Sequence, residues 1–362
     1  VLTRRNLLAV AAAAVAATTL AGTPALAAPV VTVPGYQFDL LGTTNLPGSL
    51  SYTGVAGFTG IDFDPASNRA FLLSGDRSDR QPARFYSASL AVSPTGCKIS
   101  VSAGVNTLKR PDGTPYPKSS VAGQDLVDPQ AIRYDAAAGN VLWASAGDRA
   151  KSVDPVIRRA TTTGGFVAEL PRTPNEQVAA TTGPRAGGGY SGLAVSTDGA
   201  FVISALRRPL LQDGDTAVRV TYRERESGQP VVQFAYPLDT LAGNGVAEVL
   251  SVDETRILVL EQAPLADGGN SVRLYEVDPT LGATNLLSEE APAALAGADY
   301  TPLQKRLLLD FSTLGIGTVQ NLQGMTWGPQ LADGRRSLVF VSDNGFAAST
   351  PTQVVALGVT LS

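Results

Sequence analysis

Histidine is absent from all 362 residues. Ser-His-Asp and Cys-His nucleophile systems, histidine phosphatases and imidazole-based zinc sites are therefore excluded. Chemistry is left to carboxylate, guanidinium, amine, phenol, hydroxyl and amide groups. Oxygen-rich sites of that kind favour hard cations, calcium first among them, and neither zinc, haem nor a bound nucleotide is expected. The single cysteine, Cys97, rules out an internal disulfide. With no histidine to activate it, Cys97 reads as a small core filler rather than a reactive thiol. A basic surplus is missing too: net charge is -4 and the isoelectric point about 5.1, so nothing electrostatic points to nucleic acid or an anionic membrane.

Long apolar runs are confined to the N-terminus. Residues 1–27 read as a signal peptide: Thr3-Arg4-Arg5-Asn6-Leu7-Leu8 matches a twin-arginine pattern, an alanine-rich segment follows to Leu20, and Ala25-Leu26-Ala27 is a small-x-small cleavage site. The run is too short to span a bilayer and is broken by Gly22 and Pro24. The expectation is an exported, monomeric protein without a membrane span, its mature domain covering residues 28–362.

What the chain has in quantity is glycine (37) and proline (24), the composition of many strands joined by tight turns. One pattern recurs. Asn321–Phe346 reads NLQGMTWGPQLADGRRSLVFVSDNGF: a polar start, a strand, a Gly/Asp turn, a second strand and a polar exit. Gly57–Arg77, Asp128–Asp148 and Tyr190–Arg208 repeat it, and Gly245–Gln262 is a fainter copy. Paired strands recurring every roughly fifty to seventy residues mark radial repetition. The fold expected is all-β, a single β-propeller. Third and fourth strands are expected at Arg84–Leu90 and Lys98–Ala103, Val156–Ala160 and Phe166–Leu170, Ala217–Arg225 and Val231–Tyr236, and Val272–Val277 and Lys305–Phe311. That gives five readable four-stranded blades, with room for a degenerate sixth in the insertions. Tyr36–Leu41 is expected to close the ring beside Gln353–Thr360, and Ala291–Ala298 to form a short helical turn.

Inner-strand starts and second-strand ends share one rim of a propeller, where loops from all blades converge. The starts carry Asp128-Pro129-Gln130, Tyr190-Ser191 and Asn321-Leu322-Gln323. The ends carry Asp76-Arg77, Asp148-Arg149, Arg207-Arg208, Glu261-Gln262 and Asp343-Asn344. Asp76, Asp128, Glu261 and Asp343 are the candidate catalytic or calcium-binding carboxylates. Arg77, Arg207, Gln130, Asn321, Gln323 and Asn344 are the candidate substrate contacts. Plainer readings stand beside these. Asp-Pro pairs start turns, the Asp-Arg pairs make rim salt bridges, and Glu261 is either a buried clasp or a metal ligand. Trp143 and Trp327 follow strand periodicity into the core.

The ordered set GFTGIDFDP, LLSGDR, ARFY, DPQAI, YSGLAV, LVLEQ, SVRLYEV, KRLLLDF, NLQGMTWGP and VSDN, from Gly57 to Leu357, resembles the phytase-like family, whose members carry the label "esterase-like activity of phytase". The resemblance implies a secreted propeller acting on small phosphate or carboxylic esters. It also implies acidic positions that this chain has changed: Gln130 follows Asp128-Pro129 where the family pattern has Glu, Gln323 replaces Glu before Gly324, and Ser191 precedes Gly192 in place of Glu. Arg207 stands near another expected Glu, and Gln262 replaces the Arg after Glu261. Gln keeps the reach of Glu and loses its charge. Two function classes follow: an ester hydrolase, or a non-catalytic propeller binding an extracellular ligand or partner through the same rim.

Overall fold

The computed structural model describes residues 29–46, 54–123 and 125–361. The expected signal peptide lies outside them. Among the described residues no helix is long and apolar enough to cross a membrane.

Four antiparallel sheets follow one another along the chain, each built in sequence order. Blade 1 is β3 (Phe58–Asp64), β4 (Arg69–Ser74), β5 (Arg84–Ser93) and β6 (Gly96–Thr107). Blade 2 is β7 (Pro129–Asp135), β8 (Asn140–Ser145), β9 (Val156–Thr161) and β10 (Phe166–Glu169). Blade 3 is β11 (Tyr190–Val195), β12 (Phe201–Leu206), β13 (Ala217–Glu224) and β14 (Pro230–Pro237). Blade 4 is β15 (Gly245–Ser251), β16 (Ile257–Pro264), β17 (Asn270–Val277) and β18 (Lys305–Asp310). Blade 5 takes β19 (Leu322–Trp327), β20 (Arg336–Ser342) and β21 (Thr352–Leu361) from the C-terminal end. Its outer strands, β2 (Tyr36–Leu46) and β1 (Val30–Val33), come from the N-terminal end. The innermost strands β3, β7, β11, β15 and β19 contact one another in turn around a closed ring. The molecule is a five-bladed β-propeller, with no sixth blade among the described residues.

Every inner strand slips register once, within its first three or four residues: between Phe58 and Gly60, Pro129 and Ala131, Tyr190 and Gly192, Val246 and Glu248, and Leu322 and Gly324. A bulge at a strand end re-aims one side chain. Here it singles out Thr59, Gln130, Ser191, Ala247 and Gln323 at one level of the ring. The next level holds Gly60, Ala131, Gly192, Glu248 and Gly324. In blades 1, 3 and 5 that residue is glycine, because adjacent backbones nearly touch there; Glu248 of blade 4 is the exception. A Cβ on Gly60 would lie 3.0 Å from the Ile132 amide nitrogen, one on Gly192 3.0 Å from that of Val249, and one on Gly324 2.9 Å from that of Ile61.

The eight expected outer strands all form. Ring closure also occurs as expected and extends further, with β2 pairing with β21 from Tyr36↔Leu361 to Leu46↔Thr352. The short strand β1 beyond it was not anticipated. Trp143 is core, whereas Trp327 is half-buried, with the Arg336 guanidinium 3.5 Å above its ring. Cys97 is buried in the blade 1–blade 5 core, and burial pushes its thiol up to about 11. The helical turn expected at Ala291–Ala298 is a loop with a turn at 296–297. Its backbone is spent elsewhere: the Leu295 N–H donates to Asp213 Oδ1 at 3.0 Å and the Ala293 carbonyl accepts from Arg219 at 3.1 Å.

Removal of residues up to Thr43 should therefore be severe. It strips Tyr36, Phe38 and Leu41 from the core and leaves β21 as an open edge. Burial of side chains of that size stabilises by about 1.5–3 kcal/mol each, so the melting temperature should fall sharply in a calorimetric scan. Unchanged melting would show that the ring does not depend on this strand.

Candidate functional site

All five blades send polar side chains to one mouth of the central channel. Asp128 and Gln130 start β7, with Gln130 Nε2 donating to Asp128 Oδ1 at 2.7 Å and Ser145 Oγ accepting the Asp128 N–H at 2.9 Å. Asn321 and Gln323 make the equivalent pair at β19, Gln323 Nε2 donating to Asn321 Oδ1 at 2.6 Å. Arg207, just past β12, reaches across the mouth. It donates from Nη1 to Gln323 Oε1 at 2.9 Å and from Nη2 to Gln262 Oε1 at 2.6 Å. Gln262 is in turn fixed by Asn270, 2.6 Å away. Asp343 stands after β20, its Oδ1 accepting the Gly345 N–H at 2.8 Å. Arg77 bridges from blade 1 to Asp148 of blade 2 at 2.6 Å.

The charges at this mouth feel one another. Burial pushes the Asp128 carboxyl up to about 6; Arg77 and Gln130 oppose the rise, and the nearby charges of Asp343 and Asp148 add to it. Burial also raises Asp343, against the pull of Gly345 N–H and Arg207. Arg207 is lowered to about 10, first by burial and then by the adjacent charge of Arg208, while Asp343 and Asp128 pull the other way. Two carboxyls that resist ionising and one partly desolvated guanidinium thus share a small space.

Three of the expected site residues do not belong to it. Asp76 is a clasp: it ion-pairs with Arg84 at 2.7 Å and accepts the N–H groups of Asp79, Arg80 and Gln81. Burial pushes its carboxyl up, but these donors outweigh it and hold the carboxyl below its usual range. Glu261 is also a clasp, its oxygens taken by Tyr236, Asn244, Lys305 and the Asp239 N–H. Asn344 Oδ1 accepts the N–H groups of Gly57 and Phe346, and its Nδ2 donates to the Thr350 carbonyl at 3.1 Å, tying blade 5 to blade 1. Glu261 lies within β16 rather than at its end, and Asp76 and Asn344 stand two residues past β4 and β20; each is one step from the positions that face the mouth, and neighbouring residues of an extended chain face opposite ways. Gln262, after Glu261, is the one aimed at the mouth.

Below the mouth the channel is plugged by a cluster that sequence reading missed. Arg133 of β7 donates to the carbonyls of Ile61 (2.8 Å), Ile132 (2.8 Å), Val249 (2.9 Å) and Met325 (3.0 Å), and lies 3.0 Å from Glu248 Oε2. Glu248 Oε1 accepts the Leu193 and Val249 N–H groups, so the cluster touches all five inner strands. Asp62 completes it through the Tyr134 N–H and Thr326 hydroxyl. Burial drives both carboxyls up, Glu248 to about 8, despite the pull of Arg133. The available signal was Glu248 itself, at the phase where the other repeats read glycine or alanine.

A calcium ion at the mouth would find two carboxylates, Asp128 and Asp343, with neutral oxygens from Gln130 and Asn321. Calcium takes about six to eight oxygens, and the guanidinium of Arg207 adds positive charge beside the acids. Among the described residues no group of three or more carboxylates or cysteines is placed to hold a metal. The donor set fits such an ion only in part.

The family model "Phytase-like: Esterase-like activity of phytase" matches residues 53–346, and the chain belongs to that family. No curated protein matches. Among solved structures, the catalytic domain of a Coprinopsis cinerea GH62 alpha-L-arabinofuranosidase is 12% identical, with 84% of this chain and 92% of that one covered and a TM-score of 0.42. A putative 6-phosphogluconolactonase from Bacteroides uniformis is 12% identical over 85% and 84% of the two chains, with a TM-score of 0.39. Bacteroides ovatus GH43B is 12% identical over 88% of this chain and 54% of its own, with a TM-score of 0.45.

Proposed function

We propose that the chain is an exported hydrolase of phosphate or other small esters, with the ester held at the channel mouth. The observation that carries this reading is Asp128, with its carboxyl near 6, beside Arg207 and Asp343 where the five blades converge. A carboxyl titrating there can move a proton near neutral pH, which suits general acid–base work on an ester. Arg207 and Arg77 are suited to the anionic group, and the amides of Gln130, Gln323 and Asn321 to orientation. Export rests on Thr3–Leu8 and the Ala25-Leu26-Ala27 site.

The test is a panel of phosphomonoesters, phytate and carboxylic esters, run with calcium and with chelator on the exported protein, whose N-terminus should lie near Ala28. Turnover of at least one ester is expected, with weak calcium dependence. Q130E together with Q323E should raise calcium affinity in calorimetry, because each adds a negative charge beside Asp128 or Asp343. If the double variant binds no more calcium than the parent, the mouth is not a diminished metal site. A second reading, a non-catalytic binding propeller, is favoured by one feature: both glutamines stand at bulge positions and spend their amides on holding neighbours. No turnover of any ester, with ligand still bound at the mouth, would establish it instead.

A further inference from the structure

Arg207 and Arg208 follow one another just past β12, and their side chains go to different places. Arg207 serves the mouth. Arg208 lines a separate cleft of about 420 Å³ between blades 3 and 4, walled by Arg185, Pro209, Asp215, Thr216 and the 238–244 loop. That volume suits a small ligand.

Arg208 is anomalous here. No hydrogen bond or ion pair joins its guanidinium to another described residue, and its Nε is buried without a partner. Most arginines of this chain sit in ion pairs or donate to carbonyls. A buried guanidinium N–H left unpaired is costly. The neighbouring charge of Arg207 adds repulsion.

Arg185 is placed beside it. A Cβ on Gly188 would lie 3.2 Å from the Arg208 Cβ and 3.3 Å from the Arg185 Cβ, so the two side chains start from adjacent points. Arg185 is held in position by the Pro209 and Gly214 carbonyls at 3.0 and 2.7 Å. Its acidic partner Asp215, 3.0 Å away, has a side chain 87% exposed, where an ion pair is weak and readily exchanged. The other carboxylate of the cleft, Asp239, is already neutralised by Arg273, Lys305 and the Tyr275 hydroxyl. Thr216 and Thr240 add exposed hydroxyl groups to the wall. The cleft is therefore cationic, partly desolvated and supplied with donors, and its acids are either spent or in water.

We propose that this cleft is an oxyanion-binding subsite, in which Arg208 and Arg185 together hold a phosphate or carboxylate group. It deepens the hydrolase reading by giving the rim a second anionic contact, and it does not depend on catalysis. A guanidinium fork recognises either oxyanion in the same bidentate way, so the chemistry is shared between the two sources.

The experiment is calorimetric titration of the mature protein with inorganic phosphate in one arm and citrate in the other. Wild type, R208Q, R185Q, R208K and R207Q are compared, with folding verified by melting temperature. Saturable binding is expected in at least one arm, weakened about tenfold or more by R208Q and by R185Q. R208K should lie between, since it keeps the charge and loses the fork. R207Q should keep an R208-dependent component, because its side chain serves the mouth. The stronger arm identifies the oxyanion. No saturable binding by wild type, or binding unchanged by R208Q in a folded variant, overturns the proposal. An ester-hydrolysing protein whose KM ignores R208Q would defeat the subsite and keep the enzyme. A protein that binds phosphate through Arg208 and turns over no ester would do the reverse.

Discussion

At pH 8 and above, where Glu248 is at least half ionised, Arg133→Met should cost the propeller about 3–5 kcal/mol, the usual range when one partner of a buried ion pair is removed. The side chain is 3% exposed and the Glu248 side chain facing it 0%. Four carbonyls from blades 1, 2, 4 and 5 lose their donor, and two carboxyls lose the cation that pulls against their burial. A melting temperature lower by on the order of 10 °C would follow. The loss should grow with pH. A folded carboxyl raised from 4.5 to about 8 binds a proton that the unfolded chain has released, so stability falls as pH rises through that window and levels off above it. Without Arg133 the carboxyl rises further. The deficit measured at pH 8 should therefore exceed that at pH 5. Combining Arg133→Met with Glu248→Gln should recover part of the loss, because a neutral amide can keep the Leu193 and Val249 N–H bonds through its oxygen. Chemical denaturation of wild type, Arg133→Met and the double variant at two pH values decides this; Arg133→Met as stable as wild type would mean that the plug holds nothing.

Asp128→Asn should reduce turnover of the ester about 10²–10⁴-fold, the usual contribution of a positioned proton-transfer group. KM should change little, because Arg207 and the amides that would bind the ester are untouched. The fold should tolerate the change. Gln130 can turn its amide to donate or accept, and the Asp128 N–H bond to Ser145 does not involve the carboxyl. Stability should even improve slightly at neutral pH. The folded carboxyl, at about 6 rather than 3.8, is a group whose ionisation opposes folding as pH rises through that interval, and the amide removes it. A loss of turnover matched by an equal loss of folded protein would assign Asp128 a structural role.

The blade plan was legible because propeller strands repeat their own pattern: GFTGIDFD, DPQAIRYD, YSGLAV and NLQGMTW align by eye, and glycine or alanine recurs where neighbouring backbones meet. Ring closure was legible for the same reason, since Tyr36, Phe38 and Leu40 alternate like an ordinary strand. The rim could be located, but not which of its side chains face inward. Asp343 stands one residue past β20 and Asp76 two residues past β4, so the two are one step out of phase. Asp76 meets Arg84 and three backbone N–H groups, whereas Asp343 accepts the Gly345 N–H. A one-residue offset just past a strand is not visible until the register is known. The plug was hidden for the opposite reason. Arg133, Asp62 and Glu248 come from three blades, and no local pattern joins Arg133 to Ile61 and Val249, 72 and 116 positions away. Ala291–Ala298 shows tertiary contacts overriding local tendency, with Asp213 and Arg219 claiming a backbone that composition alone leaves free to coil.

The pH dependence of kcat/KM for the best ester, measured on wild type and on Asp128→Asn, tests the mouth most directly as a site of chemistry. An ionisation near pH 6 should shape the wild-type profile and be missing from the residual activity of the variant. A wild-type profile flat across that region, or the same ionisation persisting in Asp128→Asn, would contradict the assignment of proton transfer to Asp128.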